Sequence, residues 1–489
     1  MRLLKPILGL LAATVLSAAA TAQEPGPTLT LDDAIRLALQ KNKLLKAASY
    51  QPKISRALLL VARGQFDPAF NFTRTYSSTQ FSSQLGLPVV DSSKTDFYSA
   101  SFGGTLPTGT VYSLNANTQE VRDTYSGVQR TFDTFGGFAI TQPILQGFGF
   151  GYNLEPIRVA KANRAISDQL YRASAINEVT ATIIAYSNLQ LAHDQLDSAR
   201  RAESLAASLV TENEKEFKIG FISQSDVIQA RANAATYHET IIIAERAVRD
   251  AQNGLRELIG DDAFFEDEPL FALPSYELPA VTIDRHADLL TAYKMRPDYQ
   301  QARLGIVIDK ARESYTANTL LPTVNLNANY GYEGVGNTFY TSRQAVQNHE
   351  NPALEEGITV TIPLTNAVGR GNLRAARLTR EQAEETLKST EADIAVMVAA
   401  ADGQIETTRK RVAADQNAYD LAKQALDAEE KKKKEGQSST LYVVQEQEQV
   451  AQAQNILSYA LAAERQAVAQ YDMTLGTTLE RYHVTLADN

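Results

Sequence analysis

The sequence contains no cysteine and no tryptophan among its 489 residues. Without cysteine, disulfides, thiolate metal sites, cysteine nucleophiles and a cysteine-linked lipid anchor are all excluded. The 57 acidic residues outnumber the 47 basic ones, and the net charge of −10 argues against general nucleic-acid binding, which depends on basic charge. Long apolar runs are also absent beyond the N-terminal region, so the sequence predicts no membrane-spanning helix.

The usual signatures of an enzyme or metal centre are missing as well. The histidines follow no metal-binding spacing such as H-E-x-x-H, and no G-x-S-x-G nucleophile elbow occurs. We therefore predict no catalytic residue, no cofactor and no metal ligand. The five histidines, interpreted as solvated or packing residues, are His193, His238, His286, His349 and His483.

The N-terminus has the pattern of an export signal. Arg2 and Lys5 precede an apolar run from Ile7 to Leu16, and Ala20-Thr21-Ala22 forms a small-x-small cleavage site. The apolar run is shorter than the ~20 residues that a spanning helix needs, which disfavours the alternative of an uncleaved anchor. We expect residues 1–22 to be a signal peptide and the mature chain to begin at Gln23.

An internal repeat organises the rest of the chain. The stretch NEKEFKIGFISQSDVIQAR (213–231) reappears as EEKKKKEGQSSTLYVVQEQ (429–447). Gly220 and Gly260 are separated by 40 residues, as are Gly436 and Gly476. The two halves of the chain are therefore predicted to be copies of one unit.

The two copies differ in length between two proline positions. Pro68 pairs with Pro322 at an offset of 254, whereas Pro143 pairs with Pro363 at an offset of 220. The first copy therefore carries about 34 additional residues in this interval. We predict that they form one extra β-hairpin, with strands at 98–106 and 110–118 joined by a tight turn at Pro107–Gly109.

Alternating residues predict β-strands in both copies. In the second copy, Val324, Leu326 and Ala328 alternate with asparagines, and Ile358 and Val360 alternate with threonines. Together with the first copy this gives six strands, each with one apolar and one polar face. The pattern of an apolar face and an Asn/Thr face, combined with an export signal, favours an outer-membrane β-barrel over the edges of a soluble sheet.

The remaining segments are predicted to be helical. Residues 154–217 and 372–434 contain no interior proline beyond Pro156, which lies in the first turn where its missing N–H costs nothing. At 1.5 Å per residue, each is about 95 Å long, which indicates coiled-coil elements. The shorter helix predicted at 221–259 has a heptad pattern of apolar residues. Single helices are also predicted for 31–63 and 285–320.

Four stretches of the chain resemble those of the TolC-like outer-membrane efflux protein family. They are LTLDDAIRLALQKN near the N-terminus, ITQPILQGFG, FKIGFISQSDVIQAR and MRPDYQQAR, in that order within the duplicated frame. The resemblance implies an internally duplicated α+β membrane protein: a trimeric outer-membrane β-barrel that continues into a long periplasmic α-helical coiled-coil barrel.

Boundaries follow from the repeat and the resemblance together. The first repeat is 23–260, with a helix, a β segment at 66–143, a long helix at 154–217 and a return helix at 221–259. The second repeat is 285–476, with a helix, a β segment at 322–364, a long helix at 372–434 and a return helix at 437–475. A linker at 261–284 joins the repeats, and 477–489 is a C-terminal tail.

The resemblance also implies a function. Such proteins are exit ducts of tripartite efflux pumps or type I secretion systems: passive channels energised by an inner-membrane pump and reached through a periplasmic adaptor protein. We expect a homotrimer in the outer membrane, in contact with lipid and extending into the periplasm, with no lipid anchor and no nucleic-acid partner. One alternative is a trimeric coiled-coil surface adhesin with a barrel anchor, which the internal duplication disfavours. Another is a secreted hydrolase, but the sequence contains no recognisable set of catalytic residues.

A glycine-rich turn after the predicted strand at 138–143 resembles a phosphate-binding loop. It lacks the Lys-Ser/Thr pair of a P-loop and is followed by a coiled-coil helix, so the nucleotide interpretation fails. We predict instead that these residues let the chain turn from barrel strand to helix, with Phe148, Phe150 and Tyr152 at the lipid interface. The predicted junction residues of the two copies are Pro143, Gly147, Gly149 and Gly151, and Pro363, Gly369 and Gly371.

At the opposite helix ends, Gly220 and Gly436 are predicted to be the turns of the periplasmic tip. Family members narrow the pore just beyond these turns, and well-known ones carry two aspartates at the positions of Tyr442 and Gln445. Only the first turn of this chain keeps an acid, Asp226, which either lines the entrance or caps its own helix. The basic run 431–434 is predicted to be a solvated helix end rather than a docking collar.

Overall fold

A computed structural model describes residues 28–82, 90–123, 129–261, 273 and 281–486. The predicted signal peptide and most of the linker 261–284 lie outside these residues, as do parts of two loops and the end of the tail. The helices are α1 (Leu31–Lys41), α2 (Lys43–Ala48), α3 (Tyr50–Arg63), α4 (Phe150–Asn153), α5 (Glu155–Lys218), α6 (Gln224–Ile259), α7 (Arg285–Met295), α8 (Pro297–Asn318), α9 (Phe339–Gln347), α10 (Ala367–Lys434), α11 (Thr440–Leu475) and α12 (Thr478–Arg481).

The strands form a single sheet. They are β1 (Ala69–Ser82), β2 (Val90–Thr105), β3 (Val111–Asp123), β4 (Gln129–Pro143), β5 (Thr323–Gly336) and β6 (Asn351–Thr361). Each strand pairs antiparallel with its neighbour in the chain, in the order β1-β2-β3-β4-β5-β6. The sheet therefore has two edges, β1 and β6, which have a partner on one side only within the described chain.

The predicted extra hairpin is present and belongs to this sheet. β2 and β3 are joined at Pro107–Gly109, where Gly109 has φ 92° and donates its N–H to the Leu106 carbonyl at 2.8 Å. A β-carbon on Gly109 would lie 2.3 Å from the Gly147 carbonyl oxygen, so only glycine fits this turn. Since Gly149 N–H also bonds the Thr108 carbonyl at 2.9 Å, the turn packs on the junction between β4 and the helices.

The two faces of the sheet differ in chemistry, as the alternation predicted. Register pairs place Leu114 opposite Phe138 on one face, and Asn117 opposite Phe135 on the other. On the first face apolar side chains are exposed, including Phe72 at 64% and Ile358 at 69%. The second face carries mainly asparagine, serine and threonine: Asn71, Thr73, Ser99, Ser101, Asn115, Asn117, Asn327, Asn329 and Thr359.

Two helices predicted as continuous are broken, and the breaks at Asn42 and Arg296 are 254 residues apart. Asn42 leaves helical geometry with ψ 123° and accepts the Leu45 N–H at 2.9 Å. Arg296 is extended with ψ 124° because the following Pro297 clashes with a helical residue before it. A further break at Ser49 separates α2 from α3. The prediction of single helices at 31–63 and 285–320 was therefore wrong.

The predicted β segment 322–364 also contains a helix. α9 interrupts it between β5 and β6, and a capping box starts this helix: Thr338 and Thr341 each bond the other's backbone N–H, at 3.2 and 3.3 Å. The pattern of alternating residues had indicated strand on both sides and no helix between them. α9 has only nine residues, so the alternating strands on either side of it determined the prediction for the whole segment.

The chain forms two compact units. One contains Met1–Leu37, Ala185–Pro279 and Tyr419–Ala462; the other contains Ala38–Ile184, Ala280–Ala418 and Ala463–Asn489. The helical interior of the first includes a cluster of Leu209, Ala230, Leu426, Val443 and Val444. Within the described ranges, no helix is both long and apolar enough to cross a membrane.

A buried acid lies inside the second unit. Asp402 on α10 is fully buried, and neither of its carboxylate oxygens has a hydrogen-bond partner in the described part of the chain. Burial raises the pKa of Asp402, Asp288 and Glu406 raise it further, and Arg285 opposes them. The folded protein therefore favours the neutral acid.

This environment makes stability depend on pH. Because the pKa of Asp402 is raised in the folded state, this group contributes to folding stability. The contribution is complete below the ordinary aspartate pKa of 3.8 and is lost as the pH rises through the folded-state pKa. We expect the thermal midpoint of the detergent-solubilised protein to fall over this window, and Asp402→Asn to flatten the fall and raise the midpoint at pH 8. Circular dichroism melts measure both. The exposed Asp393→Asn on the same helix is the matched control, and an equal pH profile in all three proteins would contradict the assignment.

Candidate functional site

Both long helices reverse at a glycine. Gly220 and Gly436 have φ 79° and 72°, in the left-handed region that favours glycine. The N–H of Phe221 bonds the Glu216 carbonyl at 2.9 Å, and the N–H of Gln437 bonds the Lys432 carbonyl at 2.8 Å. The two turns are built alike. The return helices start at 224 and 440, three residues later than predicted.

Asp226 is engaged in its own helix start. Its carboxylate accepts the Ser223 N–H at 3.0 Å and the Ser223 hydroxyl at 2.6 Å, while the Ser223 hydroxyl oxygen accepts the Asp226 N–H at 3.3 Å. This reciprocal capping box is the local role that the sequence left open. On the other return helix, Tyr442 is 57% exposed and Gln445 is exposed, beside the buried Val443 and Val444.

The sequence did not predict the contacts that join the two helix pairs near these turns. Lys433 of α10 is buried, and its Nζ lies 3.3 Å from Glu216 and 4.0 Å from Glu212, both on α5. The fully buried Asn213 donates to the Thr440 hydroxyl at 3.1 Å and to the Asp226 carbonyl at 3.3 Å. The basic run 431–434 is therefore not simply a solvated helix end, because its third lysine is an internal ion-pair partner.

At the first strand-to-helix junction, two glycines make the turn. Gly147 and Gly149 have φ 86° and 88°, and the Asn153 amide donates to both carbonyls at 2.8 and 3.0 Å. Pro143 ends β4, and Gly151 lies inside the short helix α4. The turn is thus a compact loop closed by Asn153, with Gly147 N–H also bound to the Asn318 side chain at 2.8 Å.

The second junction is built differently from the prediction. Gly369 and Gly371 lie inside α10, which starts at Ala367 rather than at 372, and the left-handed residue is Asn366 with φ 40°. Asn366 donates to the Leu320 carbonyl at 3.1 Å. A β-carbon on Gly369 would lie 2.4 Å from the Asn366 side chain, so a larger residue there would require that side chain to move. Pro363 follows the end of β6.

The junction aromatics separate into two groups. Phe148 and Phe150 are 51% and 60% exposed, and their contact with lipid stays a prediction. Tyr152 instead stacks on Tyr315 with ring centroids 4.4 Å apart, and their hydroxyls are 3.2 Å apart. Tyr152 therefore fastens α4 to α8. In the described residues no group of three or more acidic or histidine side chains is arranged to hold a metal ion.

The fold is shared with outer-membrane channels of known structure. The channel OprN matches with a TM-score of 0.66 and 14% identity, over 91% of this chain and 90% of OprN. VceC from Vibrio cholerae matches with a TM-score of 0.64 and 17% identity, over 91% of this chain and 96% of VceC. The open state of MtrE from Neisseria gonorrhoeae matches with a TM-score of 0.62 and 18% identity, over 92% of this chain and 89% of MtrE. The chain has the fold of these channels.

The sequence comparisons give a family match. Residues 34–261 match the model of the family described as Outer membrane efflux protein. Outer membrane protein TolC of Vibrio cholerae serotype O1 is 22% identical over 324 residues, which cover 66% of this chain and 72% of that relative. The chain is therefore similar in sequence to outer membrane efflux proteins over 34–261, and the resemblance found in the sequence is confirmed.

The buried lysine gives a test of how the tip is held together. Lys433→Gln leaves Glu212 and Glu216 without their shared cation, and because these glutamates are partly exposed we expect a moderate cost of about 1–2 kcal/mol in local opening. Chymotryptic cleavage near Phe217 and Phe221 should then accelerate about tenfold.

The neighbouring Lys432 is the matched control. It pairs with Glu429 at 2.9 Å and is 56% exposed, so Lys432→Gln should leave the cleavage rate nearly unchanged. Equal rates in the two variants would show that burial of Lys433 does not stabilise the tip.

Proposed function

We propose that three copies of this chain form an outer-membrane channel that serves as the exit duct of a tripartite efflux pump or a type I secretion system. The observation that carries this proposal is the sheet. Within the described residues it has six strands, one apolar face, one polar face and two edges that have a partner on one side only. A strand edge in lipid must be paired, since no water is available to its backbone. Pairing β1 of one copy with β6 of the next satisfies both edges.

Closure by three copies places 18 strands around the barrel, where the family pattern is 12. The difference is the hairpin β2–β3, which is fully paired within the sheet and therefore widens the wall. The apolar face then meets lipid and the Asn/Ser/Thr face lines water. A wide, water-filled lumen suits a passive conduit.

The helices support the second half of the proposal. α5 has 64 residues and α10 has 68, which correspond to lengths of about 96 and 102 Å. Helices of this length extend far beyond a membrane, and their exposed apolar side chains need neighbouring helices. We infer that they form the periplasmic tunnel, and that a periplasmic adaptor and an inner-membrane pump act at its tip and supply the energy.

Engineered cysteines test the assembly cleanly because the chain has none of its own. We expect Thr73→Cys in β1, combined with single cysteines along β6 such as Thr359→Cys, to give disulfide-linked dimers and trimers at the matching register. Non-reducing gels of outer-membrane fractions measure the products. Ser113→Cys in the inner strand β3, combined with the same β6 series, is the control and should not link. A folded monomer without cross-links at any register would contradict the proposal.

The entrance gives a second test. If Asp226 supplies the only acidic ring beyond the turns, block of single-channel current by multivalent cations should be weak, and Asp226→Asn should abolish the remainder. Because Asp226 also caps α6, the control is Ser223→Ala, which disturbs the same cap and keeps the carboxylate. Strong block that survives Asp226→Asn would place the constriction elsewhere.

A further inference from the structure

Three basic side chains form a row across the sheet. Lys94 on β2 lies directly opposite Arg122 on β3, and Arg122 lies directly opposite Arg130 on β4. Direct partners in antiparallel strands point to the same face and lie about 5 Å apart. All three side chains are exposed. This group is called the basic row below.

The basic row lies on the apolar face. The register is continuous along β3 and β4, so Arg122 shares its face with Tyr112 and Leu114, and Arg130 shares its face with Phe138. Ten residues separate Tyr112 from Arg122, or about 33 Å along the strand, which is about 25 Å in height at a tilt of about 40°. The apolar band of a membrane barrel is also about 25 Å tall. The basic row therefore lies at the level of lipid headgroups.

A buried acid holds two members of the row in place. Glu120 is 8% exposed, and one oxygen of its carboxylate accepts from the Arg122 Nε at 2.5 Å and from the Arg130 Nε at 2.6 Å. The side chains of Arg122 and Arg130 each remain 53% exposed. Glu120 thus holds two half-exposed arginine side chains next to each other.

The local charge is positive. Arg74 binds Asp96 in two hydrogen bonds of 2.8 and 3.0 Å next to the row. Counting Arg74 with the three basic residues of the row, four positive charges face the two negative charges of Asp96 and Glu120, which leaves a surplus of two. A positive surplus on an apolar face suits an anionic ligand that also has apolar chains.

The helix α9 supports the same conclusion independently. It lies on this face, where the Ser342 hydroxyl is 2.9 Å from the Thr134 hydroxyl and where a β-carbon on Gly334 would lie 1.9 Å from the Ser342 carbonyl oxygen. Its residues Phe339 and Tyr340 are 46% and 61% exposed. A short helix with exposed aromatics beside basic residues is typical of a membrane interface.

We propose that the basic row binds the phosphate group of an anionic lipid headgroup in the leaflet at the outer ends of the strands. Arg122 and Arg130 donate paired hydrogen bonds to phosphate oxygens, and Lys94 adds a point charge. The proposal rests on the proposed function, since it requires the sheet to lie in a membrane. Because β2, β3 and β4 are inner strands, every copy holds a complete site.

The test uses the full-length protein in dodecyl maltoside, with lipid A as the phosphorylated probe. Native mass spectrometry measures the lipid that each copy retains. We compare Lys94→Gln/Arg130→Gln, which leaves Arg122 paired with Glu120, with wild type. We expect the affinity for lipid A to fall by about tenfold or more, because each basic residue at a lipid surface contributes about a factor of five. Dephosphorylated lipid A should bind weakly to both proteins.

The matched control is Arg200→Gln/Arg231→Gln. These arginines are also exposed and paired with single glutamates, at 3.3 and 2.6 Å, but they lie on the helices α5 and α6. The control should bind lipid A as wild type does. A second variant, Lys94→Gln/Arg122→Gln, keeps Arg130 paired with Glu120 and should repeat the loss. Unchanged binding in both row variants, or equal loss in the control, overturns the proposal.

Inorganic phosphate distinguishes a lipid site from a general anion site. Phosphate at millimolar concentration should not displace lipid A, and efficient displacement would overturn the assignment to a lipid. The conductance of the same preparations in planar bilayers separates this proposal from the channel function. If the proteins conduct but the variants bind lipid A as wild type does, only the proposal that the basic row binds lipid is refuted. If the folded protein never conducts, the proposed channel function is refuted.

Discussion

Backbone hydrogen bonding at the two sheet edges is the constraint on which the rest of the structure depends. β1 offers 14 residues and β6 offers 11 residues of backbone with a partner on one side only within the described chain. A soluble protein would shorten, bulge or cover such edges, and lipid makes an unpaired edge more costly still. Long, regular edges therefore favour pairing with further copies. The continuous register from β1 to β6 leaves these two edges as the places where further copies can pair.

Local periodicity made much of this architecture predictable. The six strands, the reversal glycines Gly220 and Gly436, and the long helices all follow from patterns within a few residues of each other, and the observed helix ends differ from the predicted ones by at most five residues. The offset between the two predicted copies also carried a signal for the two helix breaks. The breaks at Asn42 and Arg296 have the same offset as Pro68 and Pro322, so the proline after Arg296 was also a signal for a break at Asn42.

The features that were not predicted depend on contacts between distant parts of the chain. Lys433 looked like one of four solvated lysines, and its burial follows from glutamates more than two hundred residues earlier. Asp402 was one acid among many on a long helix, and only packing against α7 and α11 removes it from water. The basic row is likewise invisible in sequence, because its three members become neighbours only through strand register. Helix α9 had a weak local signal in its threonine capping pair.

Two of these features share one electrostatic arrangement. Glu120 is buried between Arg122 and Arg130, and Lys433 is buried between Glu212 and Glu216. In each group the central charge loses its hydration, and two partners of opposite sign offset that loss while remaining partly exposed themselves. Removing the central charge, Glu120 or Lys433, leaves two like charges next to each other. Removing one of the two outer charges leaves the central residue with one partner. The outer residues are therefore the ones at which charge can be changed with little loss of stability, and each group presents a surplus of one charge on its exposed side.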